Sequence, residues 1–219
     1  MKVQHILTSS PSLLSTFMAE MRDVQIQKDS MRFRRNMERV GEIFAYEISK
    51  GLTYTSAEVQ TPLGIAGTSL LNETVVLATI LRAGLPLHQG FLNYFDKAEN
   101  AFISAYRKYG KDHKFVIQLE YISSPQLEGK VLILMDPMLA TGASLVLAYR
   151  ALLEKGGTPK HTHLVAPIAS TEGVHYIKQN MTSKNLTLWL GAVDEELTLK
   201  SYIVPGLGDA GDLAYGEKV

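Results

Sequence analysis

The chain has 219 residues, and its 22 Lys and Arg residues balance 22 Asp and Glu residues, so the formal net charge at pH 7 is zero. A neutral chain has no global positive field that would attract nucleic acid or anionic lipid, and we expect neither partner. Hydrophobic residues make up 46% of the chain, as in a folded globule, and the absence of cysteine excludes disulfides and zinc–thiolate sites.

No segment of the sequence indicates a membrane or secreted protein. No apolar run approaches the ~20 residues that a membrane-spanning helix needs. The first residues, MKVQHILTSSPSLL, lack the long apolar core and the cleavage site of a signal peptide. We therefore expect a single domain over residues 1–219, located in the cytoplasm, with no membrane partner.

The first fifty residues predict two helices. Ser10 and Pro11 are typical of a helix start, and apolar residues follow them at helical spacing. These residues are Leu14, Phe17, Met18, Met21 and Val24. A second helix is predicted to begin near residue 29 or 30 and to end near Gly51. Its apolar stripe consists of Phe33, Met37, Val40, Phe44 and Ile48.

From residue 53 onward, patterns typical of buried strands alternate with helical ones. The predicted strands are 75–81, 101–106, 131–135, 162–168 and 186–190, and the predicted helices are 86–95, 144–155 and 171–179. This alternation predicts an α/β fold in which a mostly parallel sheet carries helices on its faces. Residues 108–125 start polar and end β-rich, which predicts a β-hairpin flap. Functional residues are expected beyond the carboxyl ends of the strands.

The segment 131–144, VLILMDPMLATGAS, carries the clearest chemical signal. Five apolar residues predict a buried strand, Asp136 follows at its end, and a short loop with Thr141 and Gly142 leads directly into a helix. Unpaired amides at a helix N-terminus bind anions, so the pattern favours a phosphate site. Alternatively, Asp136 or Thr141 only caps the helix, and the local pattern leaves both interpretations open.

Four segments, together with RFRRNMERVGEIFAYE near the start, resemble the uracil phosphoribosyltransferases, a branch of the type I phosphoribosyltransferase family. DPMLATG is similar to the family's loop for phosphoribosyl pyrophosphate (PRPP), and ILRAGLPL at 80–87 to its pyrophosphate loop. AYR at 105–107 matches the arginine after the next strand, and YIVPGLGDAGD at 202–212 resembles the uracil-binding segment. The resemblance covers nearly the whole chain in the family's order.

The resemblance implies the type I phosphoribosyltransferase fold, in which a central, mostly parallel sheet is flanked by helices. It also implies a β-hairpin flap at about 107–128 and a hood formed by the N-terminal helices and the C-terminal segment. The single domain would comprise N-terminal helices at 1–52, a core at 53–190 and a uracil-binding hood segment at 191–219. A homodimer or a higher homo-oligomer is expected.

The implied reaction is a pentosyl transfer that converts uracil and PRPP to UMP and diphosphate, as in pyrimidine salvage. The implied catalytic residues are Asp136 and Arg107. The residues implied to bind PRPP are Arg82, Arg107, Asp136, Pro137, Met138, Leu139, Ala140, Thr141, Gly142, Ala143, Ser144 and Asp209. Those implied to bind uracil are Ile203, Gly208, Asp209 and Ala210. Mg²⁺ is implied as the cofactor, carried by PRPP rather than held directly by protein ligands.

Two positions depart from the family pattern. Ala143 stands where the PRPP loop usually has a second glycine, and its methyl group would cost of order ~1 kcal/mol if φ were positive. Leu213 stands where a basic residue is usual, which argues against regulation by GTP, an effector of some relatives. Three alternatives stay open: transfer to another nucleobase, a same-fold RNA-binding pyrimidine regulator without turnover, and a binder disabled by Ala143. Without the resemblance, residues 202–212 would be interpreted as a surface turn cluster.

Two histidines and the tryptophan are further candidates. His161 and His163 alternate along one predicted strand, so their side chains share a face and could bind a metal. No third ligand lies nearby in the sequence, and we predict that both are ordinary surface residues. Trp189 is predicted to lie in the core or in an interface.

Overall fold

The computed structural model describes residues 3–109 and 115–218, with the backbone alone at residues 3, 105–109 and 115–118. The strands are β1 (Val3–Ile6), β2 (Tyr54–Thr61), β3 (Gly64–Leu71), β4 (Val75–Leu81), β5 (Glu99–Tyr109), β6 (Phe115–Ser123), β7 (Val131–Met135), β8 (Met138–Leu139), β9 (His161–Ser170), β10 (Leu186–Asp194), β11 (Glu196–Leu197) and β12 (Ile203–Val204). The helices are α1 (Leu13–Arg22), α2 (Ser30–Ser49), α3 (Leu85–Leu92), α4 (Ala143–Gly156), α5 (Thr171–Asn180) and α6 (Ala210–Tyr215).

Within the described ranges, eight strands form one sheet in the order β1-β10-β9-β7-β4-β5-β6, and β8 also pairs with β9. Every pair in this sheet is parallel except β5 with β6, which form an antiparallel hairpin. The predicted α/β fold with a mostly parallel sheet is therefore confirmed. The hairpin of β5 and β6 occupies the place of the predicted flap, and residues 110–114 of that flap lie outside the described residues.

The sheet separates two apolar cores because its strands carry apolar side chains on both faces. On β4, Val75 and Leu77 face a core shared with α1, α2 and α3, whereas Val76 and Ala78 face a core shared with α4 and α5. The result is a three-layer architecture. Because the paired strands are parallel, the segments that follow β4, β7, β9 and β10 emerge at the same edge of the sheet.

The N-terminal helices differ from the prediction at their ends. Ser12 rather than Ser10 caps α1, since its Oγ accepts a hydrogen bond from the amide of Leu14 at 3.2 Å. Val24 lies beyond the end of α1 and is 64% exposed, so it does not belong to the buried stripe. The second helix is confirmed, because α2 spans residues 30–49 and its predicted stripe is fully buried.

The sequence prediction lacks β1, β2, β3, β8, β11 and β12, and two of these regions show why. β1 pairs with β10, which follows it by about 180 residues, so a four-residue window gives no sign of the pairing. β2 and β3 form a separate two-stranded antiparallel sheet, joined by a turn at Pro62 and Leu63. Almost all of its residues are exposed, so no alternation between buried and exposed positions marks these strands.

The prediction that both histidines are surface residues is wrong for His163, which is only 7% exposed. Its Nδ1 accepts a hydrogen bond from Nε1 of Trp189 at 3.0 Å, and the ring of His5 stacks on Trp189 at a centroid distance of 4.0 Å. Strands β1, β10 and β9 bring these rings together, and Trp189 lies in the core as predicted. Burial, reinforced by the neighbouring His161, lowers the pKa of His163 to about 3.

This pKa makes the fold sensitive to acid. The imidazole of His163 takes up a proton near pH 6.5 in the unfolded chain but only near pH 3 in the folded one. Stability from this group is therefore complete above about pH 6.5 and is lost as the pH falls toward 3, by about 2 kcal/mol at pH 5. We expect His163→Gln, which keeps an acceptor for Trp189, to reduce the pH dependence of the unfolding free energy by this amount.

The measurement is urea unfolding at pH 7.5 and pH 5, followed by the fluorescence of the single tryptophan. The control is His175→Gln, because His175 lies on the exposed face of α5. An equal pH dependence in wild type and His163→Gln would contradict the assignment.

Candidate active site

Polar residues from four chain segments lie at the carboxyl edge of the sheet. Arg82 follows β4, Asp136 follows β7, Ser170 ends β9 and Asp194 ends β10. The parallel pairing of these strands brings the segments together, although up to 112 residues separate the first of them from the last in the chain. The edge therefore combines a cation, two carboxylates and a hydroxyl around one region.

In residues 136–142, hereafter the 136–142 loop, the first four residues run along β9 and the last three form bends. The amide of Asp136 donates to the carbonyl of Val165 at 3.0 Å, and strand β8 inside the loop pairs with β9. The carboxylate of Asp136 also accepts a hydrogen bond from the amide of Met138, at 3.4 Å. Pro137 and Leu139 point their side chains into the protein, so these two residues could reach a ligand only through their backbone.

The loop ends at the N-terminus of α4. Gly142 occupies the cap position in a left-handed conformation, with φ at +80°, and the first bond of the helix runs from the amide of Val146 to the carbonyl of Gly142 at 3.1 Å. The amides of Ala143, Ser144 and Leu145 therefore precede the first helical bond, and the helix dipole favours an anion there. This geometry fits a phosphate group.

The start of α4 has little side-chain capping. The cap residue Gly142 has no side chain and makes no cap bond. Thr141 Oγ1 lies 3.5 Å from the amide of Ala143, at the limit of a hydrogen bond. Ala143 is the first residue of the helix and has no positive φ, so its methyl group causes no backbone strain.

The far side of the loop is fixed by Ser170 and Gly173, which follow a predicted strand but receive no role from the sequence. The hydroxyl of Ser170 donates to the carbonyl of Ala140 at 2.6 Å and accepts from the amide of Gly173 at 2.8 Å, which caps α5. A Cβ on Gly173 would overlap the carbonyl oxygen of Ala140. The available signal was a serine at the junction of a predicted strand and helix.

The C-terminal segment 202–212 packs over this edge. Ile203, Leu207 and Ala210 are each only 3% exposed, and they join the apolar core that Met138 and Ala140 border. The alternative of a surface turn cluster is therefore wrong for the apolar half of the segment. Its backbone turns sharply, with φ at +53° for Gly206 and +91° for Gly208.

Two acidic residues of this segment have structural partners. Asp209 caps α6, since its Oδ1 accepts from the amides of Gly211 and Asp212 at 2.9 and 3.0 Å, and its Oδ2 pairs with Lys218. Burial favours a higher pKa for Asp209, but these amides and the Lys218 ammonium outweigh it and lower the pKa below its usual range. Asp209 is therefore an anion at neutral pH.

Arg82 joins the segment after β4 to α6. Its Nη2 donates to Asp212 at 3.3 Å and to the carbonyl of Gly216 at 3.1 Å. Leu213, the departure from the family pattern, packs partly buried against the apolar core. The backbone of Arg107 lies in β5, opposite Ile117, and its side chain lies outside the described residues.

In residues 3–109 and 115–218, no three His, Asp or Glu side chains form a group that could hold a metal ion. No helix in the part of the chain that the structure describes is long and apolar enough to cross a membrane.

The chain is similar to known proteins over nearly its whole length. The family model for uracil phosphoribosyltransferase matches residues 8–217. The uracil phosphoribosyltransferase of Porphyromonas gingivalis strain W83 is 60% identical over 219 residues and covers 100% of both chains. That of Pyrococcus furiosus is 37% identical and covers 96% of this chain and 88% of the other. The solved structure of the AQ2163 protein from Aquifex aeolicus has a TM-score of 0.86 and 32% identity, and covers 99% of this chain and 100% of the other.

Proposed function

Because the chain belongs to the uracil phosphoribosyltransferase family, we propose that it converts uracil and PRPP to UMP and diphosphate. The observation that supports this function is the 136–142 loop, which ends at a helix N-terminus with no side-chain cap from Gly142. Arg82 and Asp194, at the same edge of the sheet, bond to the C-terminal segment. A phosphate site and a Gly-rich backbone segment would then share this edge. Action on phosphorylated metabolites of pyrimidine salvage fits the cytoplasm, where we place the enzyme.

The loop would bind the 5-phosphate of PRPP. We assign this role to the amides of Ala143 and Ser144, together with the hydroxyls of Thr141 and Ser144. Gly142 supports the role because its left-handed turn starts α4, and a Cβ there would come within 3.1 Å of Gly173 and Tyr176. Pro137 and Leu139 would contribute through their backbone.

The chemistry needs charge stabilisation more than covalent participation. Departure of diphosphate from C1 of the ribose leaves an oxocarbenium-like ring, and the carboxylate of Asp136 would face the ribose and stabilise this positive charge. Arg82 and Arg107 would bind the leaving diphosphate, since a planar guanidinium suits phosphate oxygens. Arg82 would exchange its contacts with Asp212 and Gly216 for the diphosphate.

The magnesium ion fits the substrate better than the protein. The described residues offer no cluster of three ligands, whereas Mg²⁺ commonly binds through phosphates and only one or two carboxylates. We propose that the ion arrives on PRPP, and that Asp136 could supply one carboxylate to it. When bound, it would neutralise charge on the departing diphosphate.

Uracil would be recognised by the backbone of the C-terminal segment. Gly208 has an open side, since no described atom lies within 4 Å of the position that a Cβ would take. The peptide groups of Ile203, Gly208, Asp209 and Ala210 would pair with the polar edge of the flat base. Asp209 shapes this backbone by capping α6, and we assign its contact with PRPP to the same turn.

The direct test offers uracil, cytosine, hypoxanthine and orotate in parallel to the purified protein with labelled PRPP and Mg²⁺. We expect UMP and diphosphate, with uracil preferred at least about 100-fold, because a site built to pair with a base edge rejects the wrong one. Preferred turnover of another base would refute the specificity. No turnover combined with tight, salt-sensitive RNA binding would instead identify a regulator.

Asp136→Asn tests the assigned chemistry. The amide keeps the size of the side chain but removes the negative charge that faces the ribose, so we expect kcat to fall about 100-fold or more. The KM for uracil and the melting temperature should change little. The control is Asp96→Asn on the surface, which should keep wild-type turnover. Wild-type kcat in Asp136→Asn would remove Asp136 from the mechanism.

The β2–β3 hairpin supports the proposal that the enzyme is a homo-oligomer. An isolated two-stranded hairpin is marginally stable in water, yet this one has eight residues in each strand and exposes Leu63 (99%), Ile65 (68%) and Leu70 (52%). Apolar side chains of this kind are stabilised when a second subunit covers them. We propose that the hairpin packs against a second copy of the chain.

Leu63→Lys with Ile65→Lys should weaken the oligomer. Loss of two buried apolar side chains is expected to raise the dissociation constant about tenfold or more. Sedimentation velocity over a dilution series measures this change. Leu199→Lys, at another fully exposed leucine outside the hairpin, is the control. A monomeric wild type, or unchanged dissociation in the double variant, would exclude this interface.

A further inference from the structure

The C-terminal segment is held by a buried ion pair from outside the substrate-binding loops. Arg22, the last residue of α1, forms a bidentate salt bridge with Asp194. The Nη1–Oδ2 distance is 2.7 Å and the Nη2–Oδ1 distance is 2.9 Å. Asp194 ends β10 and is only 8% exposed. A carboxylate this buried must be fully paired, and this one has a bidentate cation.

The pair also forms hydrogen bonds with the carbonyl and the amide of Gly206 in the C-terminal segment. Nη1 of Arg22 donates to the carbonyl of Gly206 at 3.0 Å, and the amide of Gly206 donates to Oδ2 of Asp194 at 2.9 Å. The four hydrogen bonds link α1, β10 and the segment in one closed network. The peptide groups on either side of Gly206 therefore cannot rotate without breaking a charge-assisted bond.

The position of Gly206 makes these two hydrogen bonds important for the candidate site. It lies two residues before Gly208, at a tight bend where φ is +53° and a Cβ would overlap the carbonyl of Ile203. Leu207 anchors the next position in the core. A base that pairs with peptide groups binds tightly only if those groups are already fixed before binding.

We infer that Arg22 and Asp194 are positioning residues that set the affinity for uracil by fixing the backbone of residues 206–210. This inference rests on the proposed function, in which residues 208–210 contact the base. The four hydrogen bonds of this network join α1, β10 and Gly206, so we expect the binding of PRPP to depend on it little.

The decisive variant is Arg22→Lys, which keeps the charge but cannot bridge both oxygens of Asp194 and the carbonyl of Gly206. We expect the KM for uracil to rise about tenfold, with the KM for PRPP and kcat within about twofold of wild type. Arg22→Ala should raise the KM for uracil further, so that lysine rescues part of the loss.

The matched control is Arg32→Ala. Arg32 also forms a bidentate pair, with Glu20 at 2.8 and 2.7 Å, and it likewise joins α1 to a neighbouring element but contacts no residue of the segment. Its loss should leave both KM values unchanged. Thermal unfolding of all three variants separates stability from substrate affinity.

Two outcomes would overturn the inference. The first is that Arg22→Lys raises both KM values equally, or raises neither of them. The second is that Arg22→Lys does not fold, which would show a structural role alone. Failure of the proposed function is a separate result, because wild-type protein would then not convert uracil at all.

Discussion

The parallel direction of the central strands is the constraint on which the site depends. Each of β4, β7, β9 and β10 delivers its following segment to the same edge, so residues from Arg82 to Asp194 meet without a long loop. The first part of the 136–142 loop then stays extended because β8 pairs with β9, and Ser170 holds the carbonyl of Ala140. Sheet pairing thereby fixes the backbone of this loop.

The second half of the site depends on apolar burial. Ile203, Leu207 and Ala210 place the C-terminal segment on the core that α1 and α2 cover, and the bends between them require glycine. Burial alone does not orient peptide groups, whereas hydrogen bonds do. The charged network of Arg22 and Asp194 supplies that orientation at Gly206, so the end of α1 fixes the backbone of the C-terminal segment.

The two departures from the family pattern have little effect on this architecture. Ala143 lies inside α4, where a methyl group is favourable, so the idea of a binder disabled by this residue loses its physical basis. Leu213 packs partly buried against the apolar core, where a basic side chain would have to be desolvated or redirected. Both substitutions suit their local environment.

The sequence by itself determined the α/β class, the strand before Asp136, the stripe of α2 and the segments that resemble the family, because these signals are local and periodic. Only the tertiary structure decided the pairing of β1 with β10, the exposed β2–β3 hairpin, the burial of His163 and the bonds of Arg22 and Ser170. These features arise from contacts between residues up to 184 positions apart in the chain. A short window of sequence does not show which distant residues will be in contact.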